Sequence, residues 1–590
     1  MNRIIELQAL ADYYGPNPYA PSPVVVSVLK FANESDPNVE RMYQQLLERY
    51  PEWIERTLDL TESPEHRVAN ALVLWAQRAL NEVRGCVEAA GVQVKNNGVL
   101  LWLGFHDVKV SRAALSLALL AFYDDVSIEV IQGQLNQLWQ VCRRRHPDYQ
   151  ASILIKAAEA SGIPWRLIVD GGRYWQFGWG KCSRIFFESA SNEDGFLGGR
   201  LSGDKAASKA FFSRLGIPSP KHHLVQDEAD LEGAVRIIGW PCVIKPVTGG
   251  CGMGVTAGIR NFEQLREGFS IARKHSRGTL MLEAFVPGDD HRLMVIDGRL
   301  THAIRREASF LIGDGTSRIK NLLAGLNAQR SVNMAKSRYL QRIPSDDILL
   351  RHLAQQGVTL DSVLEVGRKI TLRSNANRST GGICTDVTKR LHPDTRLMAE
   401  SLASSMGLMT TGLDFITTDI EKSCTESGAF IEINATPGLA SLIAAGADPI
   451  DIGCQVLGKT LGRVPVNMVV VTPNKLQEAM VWLQARHWPR GTGFACSEYA
   501  SLGGVPLRIG DARPWSMVDA LLRHRTLDSL WILCDETALQ RWGLPVDRLE
   551  KAWLFDINLP EEWLDVIAKN ADKVVSRGSW TISLNNDLFG

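Results

Sequence analysis

No stretch of this 590-residue chain is apolar for long enough to cross a bilayer: the longest such run, Ala113 to Phe122, falls well short of the ~20 residues a spanning helix needs. The N-terminus also lacks the charged, apolar and small-residue pattern of a secretion signal, so the expected location is cytoplasmic, with no membrane partner. Cysteine is scarce. The ten thiols lie scattered between Cys86 and Cys534, without a CxxC pair and without a His at zinc-finger spacing, which excludes a disulfide framework and argues against structural zinc. An excess of either charge is missing too: Lys+Arg and Asp+Glu number 65 each, so nothing suggests a nucleic-acid partner. What remains is ordinary for a globular protein, 45% hydrophobic and 22% charged. At ~150 residues per domain the length implies roughly three to four units, so the chain reads as multidomain.

From Met1 to about Trp165, short strand-like runs (Val24 to Leu29, Val99 to Phe105) alternate with helical periods (Pro64 to Gly91, Ser111 to Tyr123), the pattern of a small α/β domain. Arg143-Arg144-Arg145-His146 could bind an acidic polymer, but basic residues in a helix's last turn equally complement its dipole. Beyond it, Gly172 to Lys181 is rich in glycine and large rings; such a cluster is more often core than ligand box.

The chemistry begins with Lys205, opening a helix that closes at Leu215-Gly216-Ile217-Pro218. Forty residues later the apolar strand Trp240 to Pro246 carries Lys245, and Gly249-Gly250-Cys251-Gly252-Met253-Gly254 follows at once. A point charge at a strand end neutralises phosphate oxygens, and a glycine loop lets backbone amides approach them without interference from Cβ atoms. A hinge strand follows, Leu280 to Gly288, with Asp290 and Arg292 just beyond. Asp414, Glu432 and Asn434 then stand in two apolar runs. Taken alone, Glu432-Ile433-Asn434 reads as the polar end of a strand; after two lysines and a glycine loop, the three oxygen ligands read as a Mg²⁺ site facing a triphosphate.

This order of parts resembles the ATP-grasp superfamily, and within it the cyanophycin synthetase family, which builds an aspartate backbone decorated with arginine. The similarity rests on Tyr14 to Asn17, Asp289 to Val295, Ile312 to Gly315, Arg373 to Gly382, Gly412 to Asp414 and Ile431 to Gly438. It implies a central ATP-grasp fold over residues 166–465, after an N-terminal α/β domain (1–165), with ATP and Mg²⁺ as cofactors. It also implies that Lys205, Lys245, Gly250 and Gly252 hold the nucleotide phosphates, that Glu283, Phe285 and Val286 frame adenine, and that Asp290 holds the ribose. Asp414, Glu432 and Asn434 would hold magnesium. Arg292, Arg373 and Asn377 would be the catalytic groups facing the acyl phosphate and peptide carboxylate, and Ser191 would fall near a substrate loop. One departure stands out: the family's glycine loop carries Asp, His and Arg, which Val247 to Val255 lack.

Cyanophycin synthetases that add arginine carry a Mur-ligase-like module where residues 466–590 lie, and its first strand leads into Gly-x-x-Gly-Lys-Thr. Here Val466 to Val471 leads into Thr472-Pro473-Asn474-Lys475, without the glycines and hydroxyl of a phosphate loop. Residues 466–590 are therefore expected to be a truncated, catalytically silent Mur-type remnant. With one ATP site the resemblance narrows to the second type of the family, an ADP-forming carboxylate-amine ligase that joins preformed β-aspartyl-arginine dipeptides. Its partner would be a small peptide or polymer substrate, and its assembly a homodimer. The alternatives are an ATP-grasp ligase for another amino acid or peptide, and a non-catalytic polymer-binding scaffold.

Overall fold

The computed structural model describes residues 5–31, 37–51, 53, 62–96, 98–123, 125–169, 173–249, 252–332, 342–373, 376, 381–511 and 513–578. The protein is multidomain α/β and divides into two compact units. The first comprises Met1–Ser152, Ala158–Arg184 and Thr460–Gly590; the second comprises Ile153–Ala157 and Ile185–Lys459. Among the described residues no helix is long and apolar enough to cross a membrane, and no disulfide joins the cysteines.

In the first unit the strand Val24–Phe31 lies inside a four-stranded antiparallel sheet and is buried on both faces. Side chains alternate across a strand, so Val25 and Leu29 point one way and Val24 and Val26 the other. The first pair packs on helices such as Pro64–Asn81, whose buried stripe includes Val68, Leu72, Trp75 and Ala79. That helix starts cleanly: Ser63 accepts a hydrogen bond from the His66 amide and a proline follows in the first turn. The second pair shares a core with Val466, Met468 and Val470 from far along the chain. The aromatic run also supplies core, with Trp175, Phe177 and Trp179 all buried. Its C-terminal part carries five parallel strands in the order Thr492–Ala495, Ser529–Asp535, Val466–Val471, Leu549–Phe555, Ala571–Arg577. All six residues of Val466–Val471 are buried, as expected of a central parallel strand covered on both faces.

Two sheets build the second unit. A four-stranded antiparallel sheet runs Thr256–Ile259, Cys242–Pro246, Leu280–Ala284, His222–Val225. Cys242, Ile244, Leu280 and Leu282 bury one face against the helices Leu231–Ile238 and Phe262–His275. Strand alternation leaves Lys245 and Glu283 on the other. The second sheet, five antiparallel strands, runs Ile383–Asp386, Arg299–Glu307, Asp289–Ile296, Thr410–Thr417, Ala429–Asn434. Its apolar face, with Leu293, Val295, Leu413, Phe415 and Ile433, packs on the helix Pro393–Ser405. The opposite face therefore carries every second residue of the same strands, among them Asp290, Arg292, Asp414 and Glu432.

Candidate functional site

Register brings the charges together. Arg292 pairs directly with Asp414, and Asp414 with Glu432, while Asp290 pairs with Arg306 on the neighbouring strand. The ion pairs follow: Arg292 Nε lies 2.8 Å from Asp414 Oδ1, Arg306 lies 3.0 Å from the same oxygen, and Arg306 Nη2 donates to Asp290 Oδ1 at 2.7 Å. Burial pushes the Asp414 carboxyl up, but Arg292 and Arg306 outweigh it and hold the group below the ordinary carboxylate range. Burial wins at Asp290, whose carboxyl is raised despite Arg306, with the Asp414 charge adding to the rise. The Arg306 guanidinium loses stability by burial and regains more from the two carboxylates, so it stays charged.

Lysines line the neighbouring elements. Asp204 caps the helix Lys205–Arg214 by accepting from the Ala206 and Ala207 amides, which sets Lys205 at the helix start. Lys205 Nζ donates to the Gly249 carbonyl at 2.6 Å and lies 3.5 Å from Glu432 Oε1, so it joins the glycine loop to the carboxylate face. Gly249, Gly252 and Gly254 have φ of 116°, 73° and 72°, a left-handed backbone that other residues adopt only with strain. Lys245 donates to Glu283 Oε1 at 2.5 Å, and Lys209 Nζ lies 3.0 Å from Glu283 Oε2. Burial would raise the Glu283 carboxyl, but the two lysines hold it low. Phe285 is exposed and Val286 half-buried just past the end of that strand.

Other expected residues have partners of their own. Arg373, 3% exposed, donates to Asp346 Oδ1 and to the Pro344 carbonyl, each at 2.7 Å. Ser191 is turned inward: its amide and hydroxyl donate to Asp194, whose second oxygen accepts from the Met409 amide at the start of the Thr410–Thr417 strand. Ser189 ties the same loop to the Pro437 carbonyl at 2.8 Å, beyond Asn434. Gly250 and Asn377 lie outside the described residues.

The magnesium set suits its metal in chemistry. Asp414, Glu432 and Asn434 offer hard oxygens on one sheet face, and Asn434 spends its amide nitrogen on the Gly412 carbonyl at 3.3 Å, leaving its oxygen for a cation. Asp414 Oδ1 is already matched by the two guanidinium groups at 2.8 and 3.0 Å, so the carboxylate is held charged, the form in which an oxygen can ligate a hard cation. Among the described residues no cluster of three or more His, Cys, Asp or Glu forms, so a softer-metal site of that kind is absent.

Two participants were not singled out from the sequence, Lys209 and Arg306. Lys209 follows Lys205 by one helical turn, a spacing that is visible in the sequence. Arg306 is harder to place, because a strand bulge decides which of two adjacent arginines shares the face.

Residues 210–296 match the ATP-grasp domain model. The cyanophycin synthetase of Crocosphaera subtropica is 35% identical over 67% of this chain and 46% of its own length; that of Geminocystis herdmanii is 30% identical over 66% and 46%. This chain is an ATP-grasp relative of the cyanophycin synthetases. It spans about half the length of the cyanophycin synthetases it matches, 46% to 50%. The glutathione biosynthesis bifunctional protein of Streptococcus mutans is 29% identical over 46% of this chain and 37% of its own. Among solved structures, the bifunctional glutathione synthetase from Pasteurella multocida is 21% identical with a TM-score of 0.42, covering 58% of this chain and 49% of that one.

Proposed function

We propose that the chain is an ADP-forming carboxylate-amine ligase that joins β-aspartyl-arginine dipeptides into cyanophycin, working as a homodimer on a peptide or polymer substrate. The observation that carries the reading is the charged sheet face, where Arg292, Asp414 and Glu432 lie side by side on three strands and Lys205 links Glu432 to the glycine loop. Such a face fits the transfer of a γ-phosphoryl group to a carboxylate, a reaction that asks the protein for positioning and charge neutralisation rather than for a nucleophile. Lys205, Lys245 and the amides of the Gly249 to Gly254 loop would hold the phosphates, and Asp290 the ribose. Mg²⁺, held by Asp414, Glu432 and Asn434, would supply charge neutralisation between the β- and γ-phosphates. Arg292 would orient the C-terminal carboxylate of the growing chain and stabilise the oxyanion formed when the dipeptide amine attacks the acyl phosphate. ADP and phosphate then leave.

The dipeptide preference rests on the C-terminal sheet. Thr472-Pro473-Asn474-Lys475 forms a single 3₁₀ turn, and Lys475 is spent on Glu478 at 2.7 Å, so the segment offers no cradle for a second nucleotide. A ligase for a different amine is the second reading, favoured by the glycine loop that lacks the family's Asp, His and Arg. The deciding assay is phosphate release from Mg-ATP with β-aspartyl-arginine, set beside free aspartate plus arginine with a short primer. Turnover with the dipeptide supports the proposal, turnover only with other amines moves it to the second reading, and nucleotide binding without turnover in any mixture points to a scaffold.

A further inference from the structure

Among the described residues of the second unit, the most deeply buried ammonium has no role in the reaction as described. Lys209 is 1% exposed, and its Nζ lies 3.0 Å from its counter-charge, Glu283 Oε2. The same carboxylate, 4% exposed, gives its other oxygen to Lys245 at 2.5 Å. Three lysines (205, 209, 245) thus face two carboxylates (Glu283, Glu432), a surplus of one positive charge where a triphosphate would lie.

The geometry points to Lys209 as a positioning residue for the nucleotide: it neutralises Glu283, so that Lys245 is left with charge to give a phosphate. This deepens the nucleotide-site reading above and rests on it. The reasoning is electrostatic. A buried carboxylate with a single ammonium partner pairs with it fully, and in a low-dielectric setting that pair is costly to separate. Shared between two ammonium groups, it holds each less tightly. The arrangement also explains why the position is a lysine at all, since a buried ion pair is a poor source of stability and an apolar side chain of similar volume would pack as well. Lys205 and Lys209 sit on one helix face, four residues apart, so a single rigid helix sets both the phosphate contact and its electrostatic support.

The test measures binding to the full chain of Mg²⁺ with a non-hydrolysable ATP analogue, and separately of adenosine, without any carboxylate or amine substrate. Lys209→Met is expected to weaken the analogue by about tenfold or more, the scale of one charge-assisted contact, while adenosine binding stays within about twofold. Adding Glu283→Gln in the same chain is expected to recover most of that loss, because Lys245 is then released. Lys209→Arg, which keeps the charge, is expected to stay near wild type and serves if the methionine variant does not fold. Analogue binding unchanged in Lys209→Met, a double variant no better than the single one, or an arginine variant as weak as methionine would each overturn the inference. If the wild-type chain binds no nucleotide, the site reading itself fails and takes the inference with it.

Discussion

Two apolar strands in this molecule each have a lysine at or just past their C-terminal end, and the two lysines come to opposite ends. Cys242–Pro246 is fully buried, and Lys245 sits within it, held against Glu283 with the glycine loop directly after. Val466–Val471 is also fully buried, but Lys475 comes after the strand has ended, on a short 3₁₀ turn, where it pairs with Glu478 three residues on. The first lysine is desolvated and matched to a carboxylate on a neighbouring strand; the second is half-exposed and satisfied by the first turn of the helix that follows it. A lysine near a strand end becomes part of a phosphate site only when a second element brings it a partner and a loop brings it amides.

The comparison breaks most visibly at Asp414. Asp414→Asn should lower ATP-dependent phosphate release by about a thousandfold or more, because it removes a metal oxygen and leaves Arg292 and Arg306 without their shared counter-charge. Steady-state release with Mg-ATP and dipeptide checks it; a drop of less than tenfold would place the metal elsewhere. Arg306→Met should cost about 10- to 100-fold in the same assay, since Asp290 and Asp414 then face each other with one guanidinium fewer. Its melting temperature should fall as well, because two buried carboxylates lose a shared counter-charge, so the assay is run where the variant remains folded.

The first unit answers to pH rather than to nucleotide. Burial pulls the His106 imidazole down to about 3, with the neighbouring His146 adding to the effect. An unfolded histidine titrates near its ordinary 6.5, so between these values the unfolded chain binds a proton that the folded one refuses. The stability is therefore complete above the ordinary histidine value and is lost as pH falls through the window toward about 3. His106→Gln should flatten the fall of melting temperature between pH 7 and pH 5; an unchanged slope would assign the acid sensitivity to other groups. The smallest expected effect lies at the second lysine: Lys475→Ala should leave ATP-analogue affinity and turnover within about twofold, as a half-buried pair three residues apart contributes little.

Much of the site was legible because its parts announce themselves locally. Lys205 at a helix start, Lys245 ending an apolar strand before a run of glycines, and Asp414 inside another apolar strand all carry signals within a few residues. Arg306 carries none. The Asp297-Gly298 turn closes the hairpin with Ile296 opposite Arg299, and counting outward from it pairs Asp290 with Arg305. A bulge between Met294 and Val295 shifts the register by one, so that Arg306 faces Asp290 and Arg305 turns instead toward Asp289 and Glu307. Arg373, which the resemblance places among the catalytic groups, is tied to Asp346 and the Pro344 carbonyl, partners that no local signal announced.

By itself the sequence determined the α/β character, the order of lysines, glycines and carboxylates, and the lack of a phosphate loop after Val471, because these follow from periodicity and from the demands of backbone and charge within short windows. Only the tertiary structure decided that Val24 and Val26 share a core with Val466 and Met468, that Glu283 is divided between Lys209 and Lys245, and that Arg306 joins Asp414. The reason is that such pairings depend on register and on contacts between residues far apart in the chain, where a shift of one residue moves a side chain to the opposite face.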